Sequence, residues 1–163
     1  MSGSELSEWE DAVNDMARLK DTVDRFAAFI LALPADDLAE PSPGGALGEW
    51  GPKEVLAHLV YHHELYVALV EAGVTNTPAR PPAGTFRELN AQAVAANAGI
   101  PAPALVARLH GANRRLERLY LAHDPHAIVV EIKAGAKPRT LAALVPEVEA
   151  HIRNHLRKLQ RQE

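Results

Sequence analysis

Val145-Pro146-Glu147-Val148-Glu149-Ala150-His151-Ile152-Arg153-Asn154-His155-Leu156 carries the spacing of an amphipathic α-helix. Residues four apart on a helix share a face, with Cβ atoms roughly 5–6 Å apart, so His151 and His155 emerge side by side. Leu144, Val148 and Leu159 lie on the same stripe, which predicts that this face turns inward. Buried imidazole nitrogens are costly without partners. A metal ion and a hydrogen-bonded histidine cluster are the two explanations open at this point, and the rest of the chain has to choose between them.

The nearest comparable pattern lies in the middle of the sequence. Gly51-Pro52-Lys53-Glu54 is a helix start, with Pro52 at the first helical position and Glu54 in the first turn. The helix should run to Gly73 as its C-cap. One stripe of it carries Val55, His58, Leu59, His62, Leu65, Tyr66 and Leu69, so His58 also points at the core. A histidine pair at i, i+4 joined by one imidazole from a facing helix makes a three-nitrogen site. Three protein ligands leave a metal with an open position, as catalytic sites require. His62, one turn from His58, is a candidate fourth ligand, outer hydrogen-bond partner or proton shuttle. Glu147, one turn before His151, is either an orienting carboxylate or base, or simply exposed. His63 falls off the stripe and is expected to face solvent or pack as a neighbour, while His110, His123 and His126 are expected at the surface. Tyr61 and Tyr66 are packing residues.

Further out, Trp9, Val13, Met16, Leu19, Val23, Phe26, Ile30 and Leu33 recur at threes and fours, giving a long first helix. Ser7 with Glu10 fits a capping box at its start, and Pro34 ends it. A loop, Pro41-Ser42-Pro43-Gly44-Gly45, leads to Trp50. Residues 74–84, with Pro78, Pro81 and Pro82, form a long connection of the kind that is often functional. Phe86 to Asn97 forms a short helix. Leu105, Leu109, Ala112, Leu116 and Leu119 mark a third long one. Ala127 to Lys133 is extended, and Thr140 caps the last helix, in which Pro146 marks a kink or a delayed start. The class is all-α: a four-helix bundle whose 74–101 connection is a crossover, with the first two long helices as possible neighbours.

Composition agrees. The 163 residues, 47% apolar and 23% charged, describe one globular domain over 1–163, with 1–6 expected to be loose. A net charge of −4 leaves no electrostatic footprint for nucleic acid. The basic cluster Arg153, Arg157, Lys158 and Arg161 suits a solvated helix C-terminus. With no cysteine, disulfides and thiolate ligands are excluded. A metal here must rest on His, Asp or Glu, which points to zinc, nickel, iron or manganese. No signal peptide and no membrane span is seen, so a cytoplasmic location is expected.

Trp50-Gly51-Pro52-Lys53-Glu54-Val55-Leu56-Ala57-His58-Leu59 resembles the second-helix signature of the DinB-like (YfiT-like) four-helix-bundle superfamily, where a histidine ligand follows a tryptophan by eight residues. The HxxxH of that superfamily's last helix matches His151 and His155. Asp37-Leu38-Ala39-Glu40-Pro41-Ser42 is similar to the superfamily too, including its mycothiol-dependent maleylpyruvate isomerase branch. The resemblance implies a divalent metal, nickel or zinc, held by His58, His151 and His155 with water completing the shell. It also implies a low-molecular-weight thiol as cosubstrate, a small-molecule substrate, and a homodimer as a common assembly. The function expected is that of a metal-dependent thiol transferase, isomerase or hydrolase. The competing expectation is a non-enzymatic small-molecule-binding or scaffold bundle with a structural metal or none. The Trp50 loop and the 74–84 segment, which flank the helix bearing His58, are the expected pocket rim.

Overall fold

A computed structural model describes residues 2–39 and 50–161. Four long helices form the bundle: α1 (Gly3–Ala32), α3 (Pro52–Val74), α5 (Ala102–Ala122) and α6 (Leu141–Gln160). Two short ones, α2 (Ala35–Ala39) and α4 (Phe86–Asn97), join a two-residue antiparallel ribbon of β1 (Val129–Val130) and β2 (Arg139–Thr140). The all-α bundle expected from periodicity is present. The loop Pro41–Gly45 lies outside the described residues. No described helix is long and apolar enough to cross a membrane.

Side-chain pairs fix the helix directions. Arg108 meets Glu64 and Arg115 meets Glu71, so α3 and α5 advance together. His110 faces Asp24 and Tyr120 feels the charge of Asp15, so α1 runs against α5. Asn97 reaches the Ala57 carbonyl while Asn90 meets His62, which sets α4 against α3. The bundle is therefore up-down-down-up, with the parallel pair α3 and α5 joined by the crossover through α4. The first two long helices, possible neighbours on the sequence alone, touch at only a few points. The flanks of α1 are taken by α5 and α6, whereas α3 packs on α5 and α4 and approaches α6 closely at few points. A crossover long enough to change direction lets α5 insert between α1 and α3. The gap left between α3 and α6 becomes the cavity.

Several boundaries move from their expected places. The cap of α1 is Ser2, which accepts from the Glu5 backbone while Glu5 reaches back to Ser2. Ser7 lies inside the helix, and Gly3 to Leu6, expected to be loose, are wound into it. Ser-x-x-Glu occurs twice here, and both copies satisfy the capping rule. The earlier copy extends the helix past the core, so Leu6, Trp9 and Val13 are exposed, and the buried stripe begins at Ala12. At the other end of α3, Gly73 stays helical. Thr75 closes the helix by bonding the Glu71 carbonyl through both backbone and hydroxyl. Asn76 takes the left-handed conformation (φ 54°) expected of a glycine. Thr140 caps α6 through the Ala143 amide, as expected. That helix runs from Leu141 through Pro146 without a delayed start.

Candidate metal centre

Three helical positions converge in the gap between α3 and α6. His58 Nε2 lies 3.2 Å from His151 Nε2, and His155 Nε2 lies 2.8 Å from the same atom. All three donor atoms fall within 4.8 Å of one another. His58 and His155 are buried, whereas His151 is exposed at the cavity edge. The inward orientation expected of both α6 histidines therefore holds fully only for His155. The Trp50 ring rests against His58, with centroids 5.3 Å apart, and so forms a wall of the cluster on the side where α3 begins.

Burial makes these rings poor bases. Desolvation is the largest cause for each, pushing His58 down to about 2 and His155 to about 3, and lowering His151. Neutral imidazoles carry one donor and one acceptor apiece. His151 Nε2 is shared by two neighbours, and one lone pair cannot align with both N–H donors. Conversely, if His151 Nε2 carries the proton, it can serve only one of them. His58 Nδ1 is also buried without a partner among the described residues. That Nδ1 is unmet with or without an ion at Nε2, so the crowding at His151 Nε2 is what a hydrogen-bonded histidine cluster fails to satisfy. A single divalent ion would take all three Nε2 lone pairs together. Nitrogens about 2.1 Å from one centre stand roughly 3 Å apart, as His151 Nε2 does from each of its two neighbours. The residues fit a metal, and an all-nitrogen donor set without cysteine suits zinc or nickel.

A cavity of about 280 Å³ opens beside the cluster. His58, His62 and Tyr66 line it from α3, Phe86 and Asn90 from α4, Ile132 from the β1–β2 segment, and Glu147, Val148 and His151 from α6. The expected rim is not the observed one. Trp50 packs on His58 instead of lining the cavity, and the boundary is made by Phe86 and Ile132 rather than residues 74–84. The latter segment instead braces the ribbon, since Pro82 accepts from the Ala134 amide.

His62 is outside the converging set. Its Nε2 donates to Asn90 Oδ1 at 3.1 Å, and its ring meets His58 edge-on at 4.6 Å. Desolvation lowers its pKa. It is a cavity-wall residue fixed by α4, not a fourth member of the cluster. Glu147 is exposed and ion-paired with Arg139. Of the two places expected for His63, solvent or a packed neighbour, the structure shows the second: it is 1% exposed, and its Nε2 donates to Asn113 Oδ1 on α5 at 3.0 Å. Of the remaining histidines, His123 and His126 are exposed as expected and His110 is half-buried beside Asp24.

Asn90 and Asn113 were missed in the sequence. A signal for Asn113 existed, because it interrupts the stripe of Leu109, Ala112 and Leu116. Asparagine inside a helix needs a side-chain reason to be there.

Residues 19–153 match the family model described as the mycothiol maleylpyruvate isomerase N-terminal domain. Among curated proteins and among solved structures, nothing matches.

Proposed function

The chain belongs to this family of DinB-like bundles, and on that premise we propose that it is a metal-dependent enzyme acting with a low-molecular-weight thiol, an isomerase or transferase in reaction type. The observation that carries the proposal is the meeting of three imidazole Nε2 atoms at the edge of a cavity. His58, His151 and His155 would hold the ion, zinc or nickel. When bound, the ion supplies Lewis acidity that lowers the pKa of a thiol or water near neutral pH.

The chain's own residues do the rest. Buried His58 and His155 stay neutral at physiological pH, so their lone pairs are free without a proton first being removed. His151, at the exposed edge, leaves the donor set reachable from the cavity. His62 is held by Asn90 with its Nε2–H engaged, which orients the ring as a fixed wall. Leu89, Leu144, Val148 and Ile152 exclude water from the sides.

Elemental analysis of protein purified without a histidine tag or chelator tests the proposal. One equivalent of divalent metal is expected, and none in His151→Ala. Metal content unchanged by that substitution would overturn the assignment. A second reading, a binding module in which the metal only clamps the helices, draws support from one observation. Glu147, the sole carboxylate lining the cavity among the described residues, is occupied by Arg139, which leaves no free acid beside the cluster. A large fall in melting temperature on chelation would favour the clamp, and a small one the enzyme.

A further inference from the structure

The cavity has two unlike ends, and the second has no role in the metal chemistry. His58 and Tyr66 both line it and lie eight residues apart on α3, which is about 12 Å along the helix axis. Around Tyr66 the lining carries one carboxylate, Glu147, and two cations stand behind the lining residues they contact. Arg139, on β2, lies close enough that its charge acts on the Tyr66 hydroxyl, and its guanidinium pairs with Glu147. Lys133, between the two strands, places its Nζ over the Phe86 ring, 5.4 Å from the centroid. Phe86, Tyr66 and Glu147 all line the cavity. Two cations thus border this end against one carboxylate. The α6 N-terminus, at Leu141 two residues after Arg139, adds a partial positive charge of its own.

Between the two ends the walls are Leu59, Leu89, Leu144 and Val148, together with His62 and Asn90, which are already hydrogen-bonded to each other. We infer that the cavity is built for an elongated ligand with a metal-seeking head at the histidines and an anionic tail at Arg139 and Lys133. Glu147 holds the Arg139 guanidinium in place until the tail arrives. The inference rests on the metal reading proposed above and adds to it the charge and the length of what binds.

Cobalt(II) in place of the native metal gives a test independent of turnover, because a thiolate joining cobalt produces a charge-transfer absorption band. Mercaptoacetate, mercaptopropionate and mercaptohexanoate are titrated into the cobalt(II) protein, with uncharged mercaptohexanol as the control. The long carboxylate should bind more tightly than either the short ones or the alcohol of its own length. Arg139→Gln should weaken mercaptohexanoate about tenfold, the order of a lost charge-assisted hydrogen bond, and leave mercaptohexanol unchanged. Glu147→Gln, which frees the guanidinium, should tighten mercaptohexanoate. Unchanged cobalt d–d bands and melting curves would show that the variants remain folded. If the protein takes up no cobalt(II), the metal reading fails and this inference falls with it. If cobalt(II) binds but acid and alcohol bind alike, or Arg139→Gln affects both equally, the anionic end alone is overturned.

Discussion

Two histidines five residues apart on α3, His58 and His63, are both buried and meet opposite fates. His63 faces α5, where Asn113 accepts from its Nε2. His58 faces α6, where its Nε2 meets another imidazole and its Nδ1 meets nothing among the described residues. Burial costs both rings, yet only His63 Nε2 meets an oxygen acceptor within the protein. A buried imidazole closed by an amide oxygen fastens two helices. Imidazoles whose Nε2 atoms point at one another are incomplete there, and what completes them at Nε2 has to come from outside the chain.

The largest expected effect separates the two regions outright. Alanine at His151 should leave a preparation with no bound metal, while alanine at Asn113 should leave metal stoichiometry at the wild-type value. Metal lost equally from both variants would mean that the apparent site reports overall folding instead of coordination.

How far this contrast could be read in advance depended on where each partner lies in the chain. His151 and His155 are four apart on one helix, so their meeting follows from helical geometry alone. Joining His58 to them needed the family resemblance, since spacing cannot say which helices face one another. His63 stayed open between solvent and packing because its partner is on α5, fifty residues away. It sits beside His62 in sequence but points toward a different neighbour. The diagonal placement of α1 and α3 was equally illegible, because it follows from the path of the crossover. The early start of α1 was hidden for another reason: two capping boxes of equal quality precede one hydrophobic stripe, and burial, not capping, decides where the core begins.

Acid offers the next largest effect. Burial holds His63 at about 4, against its ordinary 6.5. The unfolded chain therefore binds a proton between those values that the folded chain refuses, and stability rises with pH across that window. The contribution should be complete above pH 6.5, decline as the pH falls, and be lost near 4, a change of about 3 kcal/mol for this one group. Urea midpoints across the window measure it, and His63→Leu should reduce the slope by one proton's share, leaving the part due to the other buried imidazoles, His58 and His155 among them. An equally steep decline in that variant would assign the acid sensitivity elsewhere.

A smaller loss is expected from Asn113→Ala, which strands the His63 N–H in the core. An unsatisfied buried donor costs about 1–3 kcal/mol. In a chain of this size that lowers the melting temperature by roughly 5 °C. A variant that melts with the wild type would mean the ring can turn to another partner, and His63 would then cease to be a fastener.

The smallest effect should come from Asn90→Ala, where the two regions overlap. His62 shares the cavity with His58 and touches its ring, yet it is bonded in the manner of His63, through an asparagine oxygen on another helix. Both residues are only half-buried, so water can replace the lost amide and the cost should be at the lower end, about 1 kcal/mol. If His62 is a wall residue, metal stoichiometry should be untouched and only stability should shift. If the freed ring turns instead toward the ion, the bound metal should survive chelator longer than in the wild type, and His62 would join the receptor rather than the fasteners. Chelator competition on this variant therefore decides to which of the two classes the third histidine of α3 belongs.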